Sequence, residues 1–362
     1  MTERKWSVVE LVGQMRSRAE ASGLAVIDLG QGAPVDETPA VVQEALAAAS
    51  DWPGYPPAHG LPDLRAAYAH WAQRRWGATI DPQDVITTAG SKEFIATLPW
   101  LLGLGTQDVI SIPELAYPTY AAGAAFAGCS VVLGMPAAGD PIPRLIWINS
   151  PGNPTGEVSE VGQLATVVDW AREHDALVVS DECYVELTPP GPPAPSVLSP
   201  EVTGGDYRNL LVVHSLSKRS NMAGYRVGFA AGDPQVVARV LQRRRDAGLI
   251  AAGPVQQAAA AALADDEHVV ALQRSYSNRR ETLRSGLTAA GFRVDHSTAG
   301  LFVWATRGES DQRTAQQLAD LGVLAAPGGF YGPRGEQHVR LSLTASEQQL
   351  AEVANRLSRL SR

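Results

Sequence analysis

Cysteine is scarce in this chain of 362 residues, which has only Cys129 and Cys183. Each lies in an apolar stretch, so the sequence excludes a disulfide framework and a CxxC metal knuckle. The 7 histidines are scattered and form no HExxH or HxH pair. No metal site is therefore predicted. Because so few cysteines are typical of a reducing compartment, we expect a cytoplasmic protein.

Positive charge is also in short supply, with 30 lysines and arginines against 38 acidic residues. The net charge of -8 provides no general field for a nucleic acid backbone or an anionic membrane. The basic run Arg243–Arg245, with Arg239 nearby, lacks interleaved aromatic residues. We interpret it as a solvated or domain-contact face of a helix, and no nucleic acid partner is predicted.

Long hydrophobic runs are missing as well. The longest uncharged run, Ala116–Gly139, is rich in alanine and glycine and contains prolines, which makes it a poor membrane helix. The segment Met1–Glu10 carries four charged side chains and no apolar core, so no signal peptide is expected. No membrane partner is predicted.

The sequence does contain an alternation of short β-branched runs with amphipathic helical stretches, which is typical of βα units and a mostly parallel sheet. Several of the runs are apolar throughout, as in strands covered on both faces. The candidate strands are Val85–Thr88, Val109–Ile112, Val131–Leu133, Leu145–Ile148, Leu177–Ser180, Leu210–His214 and Val227–Ala231. The predicted fold class is α/β, with a mostly parallel seven-stranded sheet flanked by helices in a large domain.

After Pro234 the pattern changes to long helices, predicted over 235–249 and 254–290. Strands near 301–304 and 339–343 follow them. We therefore expect a large domain over residues 31–250 and a smaller α+β domain formed by 1–30 and 251–362. The proline-rich stretch 189–200 is predicted to be a surface loop within the large domain.

Three polar motifs follow predicted strands, at the sheet edge where α/β proteins bind ligands. Lys218 ends the sequence HSLSK, and a lysine partly buried there can lose its proton and form a Schiff base. Asp181 follows an apolar strand, where its carboxylate could pair with a protonated ring nitrogen. Asn153 lies in a turn, NSPGNPTG, where its amide could bond an anionic oxygen. Singly, each also fits a plain structural role, such as a solvated turn or a helix cap.

Together these motifs resemble the fold-type I aminotransferases, which use pyridoxal phosphate. The order is NPTG, then D-x-x-Y after a strand, then S-x-S-K with an arginine eight residues later, and a late arginine in VRLS. The resemblance covers essentially the whole chain. It implies that Lys218 forms the Schiff base and moves the substrate proton, that Asp181 binds the pyridine nitrogen, and that Tyr184 and Asn153 bond the phenolic oxygen.

The resemblance also implies a site for the cofactor phosphate. Arg226 would supply a forked donor, and Ser215 and Ser217 would supply hydroxyls. Backbone amides would come from a helix start, at Ala89, Gly90, Ser91 and Lys92. Tyr117 matches the family's aromatic residue that stacks on the cofactor, although a place in the core is the simpler alternative.

Three further residues match family positions around the substrate. Tyr55 matches a tyrosine that reaches the phosphate of the other subunit, so the resemblance implies a homodimer with shared active sites. Arg340 matches the arginine that binds the substrate α-carboxylate, and Gly32 matches a glycine whose backbone lies against it. Small-molecule amino acids and 2-oxo acids are the implied partners.

Whole segments, including 89–94 and 214–229, look most similar to succinyldiaminopimelate transaminases. This resemblance implies N-succinyl-2-amino-6-ketopimelate as acceptor and glutamate as donor. The alternatives are a broad aspartate or aromatic aminotransferase, a pyridoxal phosphate C–S lyase, or a cofactor-binding sensor without activity. Most relatives carry a further loop and helix where this chain has Gly134–Gly152, so the pocket rim is expected to be open. The glycine-rich Gly328–Gly332 is expected to be a mobile loop at the pocket mouth.

Overall fold

The apolar runs of the sequence form the sheets of a computed structural model that describes residues 8–137 and 139–361. The first seven residues of Met1–Glu10, where no signal peptide is expected, lie outside the described residues, as does Ala138. The strands are β1 Ile27–Asp28, β2 Val85–Thr88, β3 Val109–Ile112, β4 Ser130–Leu133, β5 Leu145–Asn149, β6 Leu177–Asp181, β7 Leu210–Ser215, β8 Gly228–Gly232, β9 Arg293–Asp295, β10 Phe302–Thr306, β11 Val323–Leu324, β12 Ala326–Pro327 and β13 Val339–Ser342.

Helices lie between most of these strands. They are α1 Val8–Ala21, α2 Ala40–Ala48, α3 Pro62–Trp76, α4 Ser91–Leu102, α5 Thr119–Ala127, α6 Val161–Glu173, α7 Pro200–Thr203, α8 Leu216–Arg219, α9 Pro234–Asp246, α10 Gly253–Ala264, α11 Glu267–Ala289, α12 Asp311–Asp320 and α13 Glu347–Leu357. No helix in the described ranges is long and apolar enough to cross a membrane.

The large sheet has seven strands in the order β2-β8-β7-β6-β5-β3-β4. Neighbours from β7 to β4 are parallel, and β8 runs antiparallel to both β7 and β2. The predicted α/β class and the mostly parallel sheet are thus confirmed. Because Asn149 pairs with Asp181 and Ser215 pairs with Gly228, polar residues at several strand ends meet at one edge.

Apolar clusters cover both faces of the large sheet. The cluster that we call the α3 cluster contains Tyr68 and Trp71, and the α4 cluster contains Phe94 and Tyr120. The second sheet, β12-β13-β10-β9, has its own cluster, which we call the small-sheet cluster and which includes Leu283 of α11. The division of the chain at residue 250 stays a prediction.

Two local predictions were wrong. The stretch 254–290 is two helices, α10 and α11, because the chain turns at Asp265 and Asp266, where the Asp265 carboxylate accepts a bond from the N–H of Glu267 at 2.8 Å. The run Arg243–Arg245 is not wholly solvated. Arg244 is fully buried in a two-bond ion pair with Glu93, at 2.7 and 3.1 Å.

The glycine-rich segment Gly328–Gly332 also differs from the expected loop. Gly328–Tyr331 is a 3₁₀ turn, and the Gly328 N–H donates to the carbonyl of His338 at 2.8 Å. The side chain of Tyr331 is buried in a contact with Trp304. The segment does border the predicted pocket, and it supplies part of the pocket wall.

Candidate active site

A cavity of about 470 Å³ opens at the polar edge of the large sheet. Side chains of the second sheet close its other side, since Phe302 of β10 and Arg340 of β13 are among the lining residues. The predicted site residues that line it are Gly32, Ser91, Lys92, Tyr117, Asn153, Asp181, Tyr184, Ser215, Ser217, Lys218, Arg226 and Arg340. The structure therefore brings together residues that are more than three hundred positions apart in the sequence.

Three predicted residues are outside this lining. Ala89 offers no free amide to an anion, because its N–H donates to Oε2 of Glu93 at 3.2 Å. Gly90 lies just behind the wall as the residue before α4. Tyr55 is fully exposed and does not reach the cavity of its own chain.

Lys218 lies in α8, a four-residue helix that begins directly after β7. The Ser215 hydroxyl caps this helix by accepting a bond from the Ser217 N–H at 3.1 Å. The Lys218 ammonium donates to the carbonyl of Gly32. Burial lowers the pKa of Lys218 to about 8; Cys183 opposes this fall, and the charges of Arg340 and Arg226 add to it. The amine is thus available as a nucleophile near neutral pH.

Asp181 ends β6 and its carboxylate is buried in the cavity wall. Its Oδ2 accepts a 2.7 Å bond from the Tyr120 hydroxyl, and its Oδ1 accepts a 3.1 Å bond from the Cys183 N–H. Burial raises the pKa of Asp181, while these hydrogen bonds act in the opposite direction. No basic side chain within the described ranges forms an ion pair with Asp181, so its charge is available to a cationic ligand group.

Arg340 crosses the cavity from β13 and is 6% exposed. Its Nη1 donates to Oδ1 of Asn153 at 2.9 Å, and its Nη2 donates to the carbonyl of Gly30 at 2.6 Å. The guanidinium carbon lies 3.9 Å from the centre of the Phe302 ring. Its Nε has no hydrogen-bond partner in the part of the chain that the structure describes. A buried guanidinium with an unused donor is suited to a carboxylate ligand.

Arg226 also lines the cavity, and its backbone is in the left-handed region with φ 56°. Its Nη1 donates to the carbonyl of Ala223 at 2.9 Å. Gly90 packs against this guanidinium so closely that a Cβ there would lie 2.5 Å from Nη2. Ser91 follows Gly90 and begins α4, so the backbone N–H groups of the first helical turn lie close to the Arg226 guanidinium.

These donors fit the pyridoxal phosphate that the resemblance implies. Arg226, the serine hydroxyls and the start of α4 suit a phosphate, and the unpaired Asp181 carboxylate suits a ring N–H. The basic side chains of the lining outnumber its one carboxylate: Lys92, Lys218, Arg226 and Arg340 against Asp181. This imbalance favours a ligand set that carries several negative charges, such as a phosphate and a carboxylate.

Sequence reasoning assigned no role to several residues that line the cavity or contact its lining. Tyr331 and Phe302 place rings beside Arg340, at 5.0 and 3.9 Å from its guanidinium carbon. Tyr120 bonds Asp181, and Asn149 accepts a 2.8 Å bond from the N–H of Asn153. Tyr120 and Asn149 had a local signal, because each lies three or four residues from a predicted site residue, and Tyr331 lies in the glycine-rich segment that was expected at the pocket mouth.

Comparison with known proteins agrees with this geometry. A family model described as aminotransferase class I and II matches residues 25–357. The chain is 47% identical, over 99% of each chain, to the 4-dedimethylamino-4-oxo-anhydrotetracycline transaminase OxyQ of Streptomyces rimosus. It is 35% identical to an LL-diaminopimelate aminotransferase of Gloeobacter violaceus, over 96% of this chain and 93% of the relative.

A solved structure extends the likeness to three dimensions. A probable N-succinyldiaminopimelate aminotransferase of Thermus thermophilus superposes with a TM-score of 0.87 and is 29% identical, covering 98% of this chain and 100% of its own. Sequence, family model and fold agree along nearly the whole length. The chain therefore belongs to the aminotransferase class I and II family and is a pyridoxal-phosphate-dependent transaminase.

Proposed function

We propose that Lys218 is the residue that binds the cofactor covalently and moves the reacting proton. The carrying observation is that Lys218, with a pKa of about 8, the buried Asp181, which has no ion-pair partner in the described ranges, and Arg226 line one cavity. The bound cofactor supplies an electron sink and carries the amino group between the two half-reactions. With the cofactor bound, the Lys218 amine would move the proton from the substrate α-carbon to the cofactor carbon C4′.

Asp181, Tyr184 and Asn153 hold the ring in this proposal. Asp181 keeps the ring nitrogen protonated, since a carboxylate beside it favours the charged form. The Oδ1 atom of Asn153 is bonded to Arg340, and its NH₂ group has no acceptor in the described ranges, so that group is free for the phenolic oxygen. Tyr184 lies edge-on to Phe302, with ring centres 5.7 Å apart, and offers its hydroxyl to the same oxygen. Tyr117 stacks on the ring and shields it from water.

The phosphate would be bound by Arg226, Ser215 and Ser217 together with the amides that begin α4. These groups carry no proton in the reaction, and their function is to anchor the cofactor. Binding at the phosphate is thus separable from chemistry at Lys218 and Asp181.

Arg340 and Gly32 would bind the substrate α-carboxylate. The amino donor and the oxo-acid acceptor enter the same cavity in turn, and both carry an α-carboxylate. The same two residues would bind this group in each substrate, whereas the differing distal groups would contact the residues at the cavity rim. A buried arginine over an aromatic ring is held in one orientation, which suits two-point recognition of a planar carboxylate.

For the distal group, we propose N-succinyl-2-amino-6-ketopimelate as acceptor with glutamate as donor, in biosynthesis of diaminopimelate and lysine. The supporting observations are the likeness to the Thermus thermophilus structure and to LL-diaminopimelate aminotransferases. The connection from β4, which ends at Leu133, to β5, which begins at Leu145, carries no helix among its described residues, and in this proposal the long side chain occupies the space that such an element would fill. A second candidate is a ketone on a fused ring system, which the 47% identity to OxyQ favours.

An acceptor panel with glutamate as donor tests the substrate proposal. We expect the succinylated keto acid to give the highest kcat/KM. A large preference for oxaloacetate or phenylpyruvate would replace this assignment with a general aspartate or aromatic aminotransferase. Preference for a polycyclic ketone would support the second candidate. Release of a thiol from cystathionine would indicate a lyase, and no turnover of any compound would indicate a sensor.

Borohydride reduction followed by peptide mapping tests the role of Lys218 without relying on turnover. We expect the cofactor to be fixed on the peptide that contains Lys218. An adduct on Lys92 would contradict the assignment. For the assembly, we propose a cytoplasmic homodimer in which Tyr55, exposed in its own chain, completes the phosphate site of the second subunit.

A further inference from the structure

Arg219 follows the cofactor lysine but points away from the cavity. It is 3% exposed and does not line the pocket. A guanidinium buried at such a position needs several acceptors, because an unpaired buried charge is strongly destabilising. The hydrogen-bond partners of Arg219 therefore identify the segments of the fold that this residue joins.

The partners of Arg219 come from the last turn of α10, from the two residues after it and from the segment after β6. Its Nε donates to Glu186. Its Nη1 donates to the carbonyl of Ala262 at 2.6 Å, and its Nη2 donates to Oδ1 of Asp266 at 3.2 Å and to the carbonyl of Asp265 at 3.4 Å. Arg219 thus bonds the last carbonyls of α10 and the residues that separate α10 from α11.

Glu186 joins this contact to the body of the large domain. Its carboxylate is buried and accepts a 3.0 Å bond from Trp71 Nε1 on α3. Arg75, also on α3, places its Nε 2.7 Å from Oε1 of Glu186. The carboxylate is therefore held between two guanidinium groups and an indole, and it fixes Arg219 from the side opposite to α10.

The turn between α10 and α11 is also a junction between two cores. Leu263 of α10 belongs to the α3 cluster, whereas Leu272 of α11 belongs to the small-sheet cluster. Arg219 is bonded where the chain passes from one core to the other. The small-sheet cluster also contains Leu341 of β13, the strand that carries Arg340.

The helix that carries Lys218 is too short to define its own position. A four-residue helix forms hardly one turn, and isolated helices of that length are unstable. We propose that Arg219 is a positioning residue that ties the Lys218 turn to the junction between α10 and α11. The hydrogen bonds of the Arg219 guanidinium hold Lys218 at a fixed position relative to the large sheet and to the second sheet, which is proposed to bind substrate. This proposal rests on the proposed function, since it assumes that Lys218 carries the cofactor.

Arg219→Lys in the holoenzyme tests the proposal. Lysine keeps the charge but cannot bond the separated acceptors at once. We expect kcat to fall about tenfold to a hundredfold, the cost of a small displacement of a reacting group, with KM for glutamate close to that of the parent. We also expect a smaller fraction of the cofactor to be fixed on Lys218 by borohydride.

Arg74→Lys is the matched control. Arg74 donates to the carbonyl of Leu263 at 2.8 Å and reaches Asp266 at 3.4 Å, so it belongs to the same junction without touching the Lys218 turn. We expect parental kcat and parental labelling for this variant. Equal losses in both variants, or parental kcat and labelling in Arg219→Lys with only a lower melting temperature, would overturn the proposal.

Asp266→Ala decides the question if Arg219→Lys fails to fold. Asp266 is partly exposed, so its loss is tolerated, yet it removes one bond between Arg219 and the junction. Reduced labelling of Lys218 would support the tether, and parental labelling would overturn it. An adduct on another lysine in the parent enzyme would overturn the proposed function too, whereas a Lys218 adduct insensitive to these variants would overturn only the role of Arg219.

Discussion

The Tyr120 hydroxyl donates a hydrogen bond of 2.7 Å to the Asp181 carboxylate where the α4 cluster borders the cavity, and both side chains are buried. The Tyr120 ring stacks on Trp147, with ring centres 4.9 Å apart, so its hydroxyl is fixed in direction. Its donor therefore stabilises the charged form of an aspartate that burial alone would drive toward the neutral form.

Tyr120→Phe is expected to raise the pKa of Asp181, because burial already raises that pKa and the Tyr120 bond opposes the rise. A hydrogen bond to a charged group contributes about 1.5–3 kcal/mol, and Tyr120→Phe removes this stabilisation of the Asp181 carboxylate. The acid limb of the kcat/KM profile should move to higher pH. Tyr68→Phe, which removes a buried hydroxyl from the α3 cluster, should leave the limb in place. An acid limb that is unchanged in Tyr120→Phe would contradict the prediction.

Lys218 makes the stability of the cofactor-free protein depend on pH. Its pKa falls from 10.5 to about 8 in the folded state, so below pH 8 the folded protein must hold a buried charge that the unfolded chain hydrates freely. The free energy of unfolding therefore falls by about 3 kcal/mol as the pH is lowered from 10.5 to about 8. Lys218→Met should therefore be more stable than the parent at pH 7, and the difference should vanish near pH 10.5. Urea unfolding at both pH values measures this, and an equal difference at both would contradict it.

The sheet was predictable because its signal is local. Strands such as Leu145–Asn149 and Leu177–Asp181 are apolar runs bounded by turns, and the structure places them within a residue of the predicted bounds. The polar residues that end the strands meet because the carboxyl ends of parallel strands share an edge. Local pattern and chain order were thus sufficient to place Asp181 and Lys218 in one pocket.

Features that depend on distant partners were not predictable in the same way. The sequence predicted a solvated or domain-contact face for the helix segment that holds Arg244, but it did not predict that Arg244 itself is buried in an ion pair with Glu93 of another helix. The break between α10 and α11 has no glycine or proline to mark it, and Arg219 bonds the carbonyls that it leaves exposed. The glycine-rich pattern placed Tyr331 near the pocket mouth, but its packing against Trp304 depends on a residue of the distant strand β10 and was not predicted.

Gly90→Ala is expected to weaken cofactor binding. A Cβ at this position would lie 2.5 Å from Nη2 of Arg226, at a residue with φ 85°, so the guanidinium must move away from the start of α4. Gly77→Ala is the matched control, because Gly77 also has a positive φ, of 67°, but nothing lies within 4 Å of its Cβ position. Gly77→Ala, at a residue in the αL region (φ 67°, ψ 13°), should cost about 1 kcal/mol of stability, and Gly90→Ala should cost more, because its φ of 85° and ψ of 155° are adopted almost only by glycine. Only Gly90→Ala should raise the Kd for pyridoxal phosphate, as measured by titration of the cofactor-free protein, and equal Kd values would contradict this.

Arg340→Gln is expected to raise KM for both the amino donor and the oxo-acid acceptor. A forked ion pair to a carboxylate in a desolvated site contributes about 2–4 kcal/mol, so the increase should be about 30-fold or more. An amine without a carboxylate should react at a similar rate with both proteins, which separates loss of the clamp from general damage. An increase in KM for only one of the two substrates would show that they do not share Arg340.

Tyr55 gives the test of assembly. It is fully exposed in its own chain and does not reach the cavity of that chain. Within a single chain, Tyr55 would therefore have no reason to affect the phosphate site. If it completes the site of the second subunit, Lys218→Ala and Tyr55→Ala chains should each be weak alone. In a mixed dimer, one site then combines the intact Lys218 of one chain with the intact Tyr55 of the other. Random mixing makes half of the dimers hybrid, each with one good site, so activity should recover to about a quarter of the parental value.

Unfolding and refolding the two chains together, with each chain refolded alone as control, measures the recovery. Activity that does not exceed the sum of the controls, or a monomer in sedimentation, would contradict the shared site.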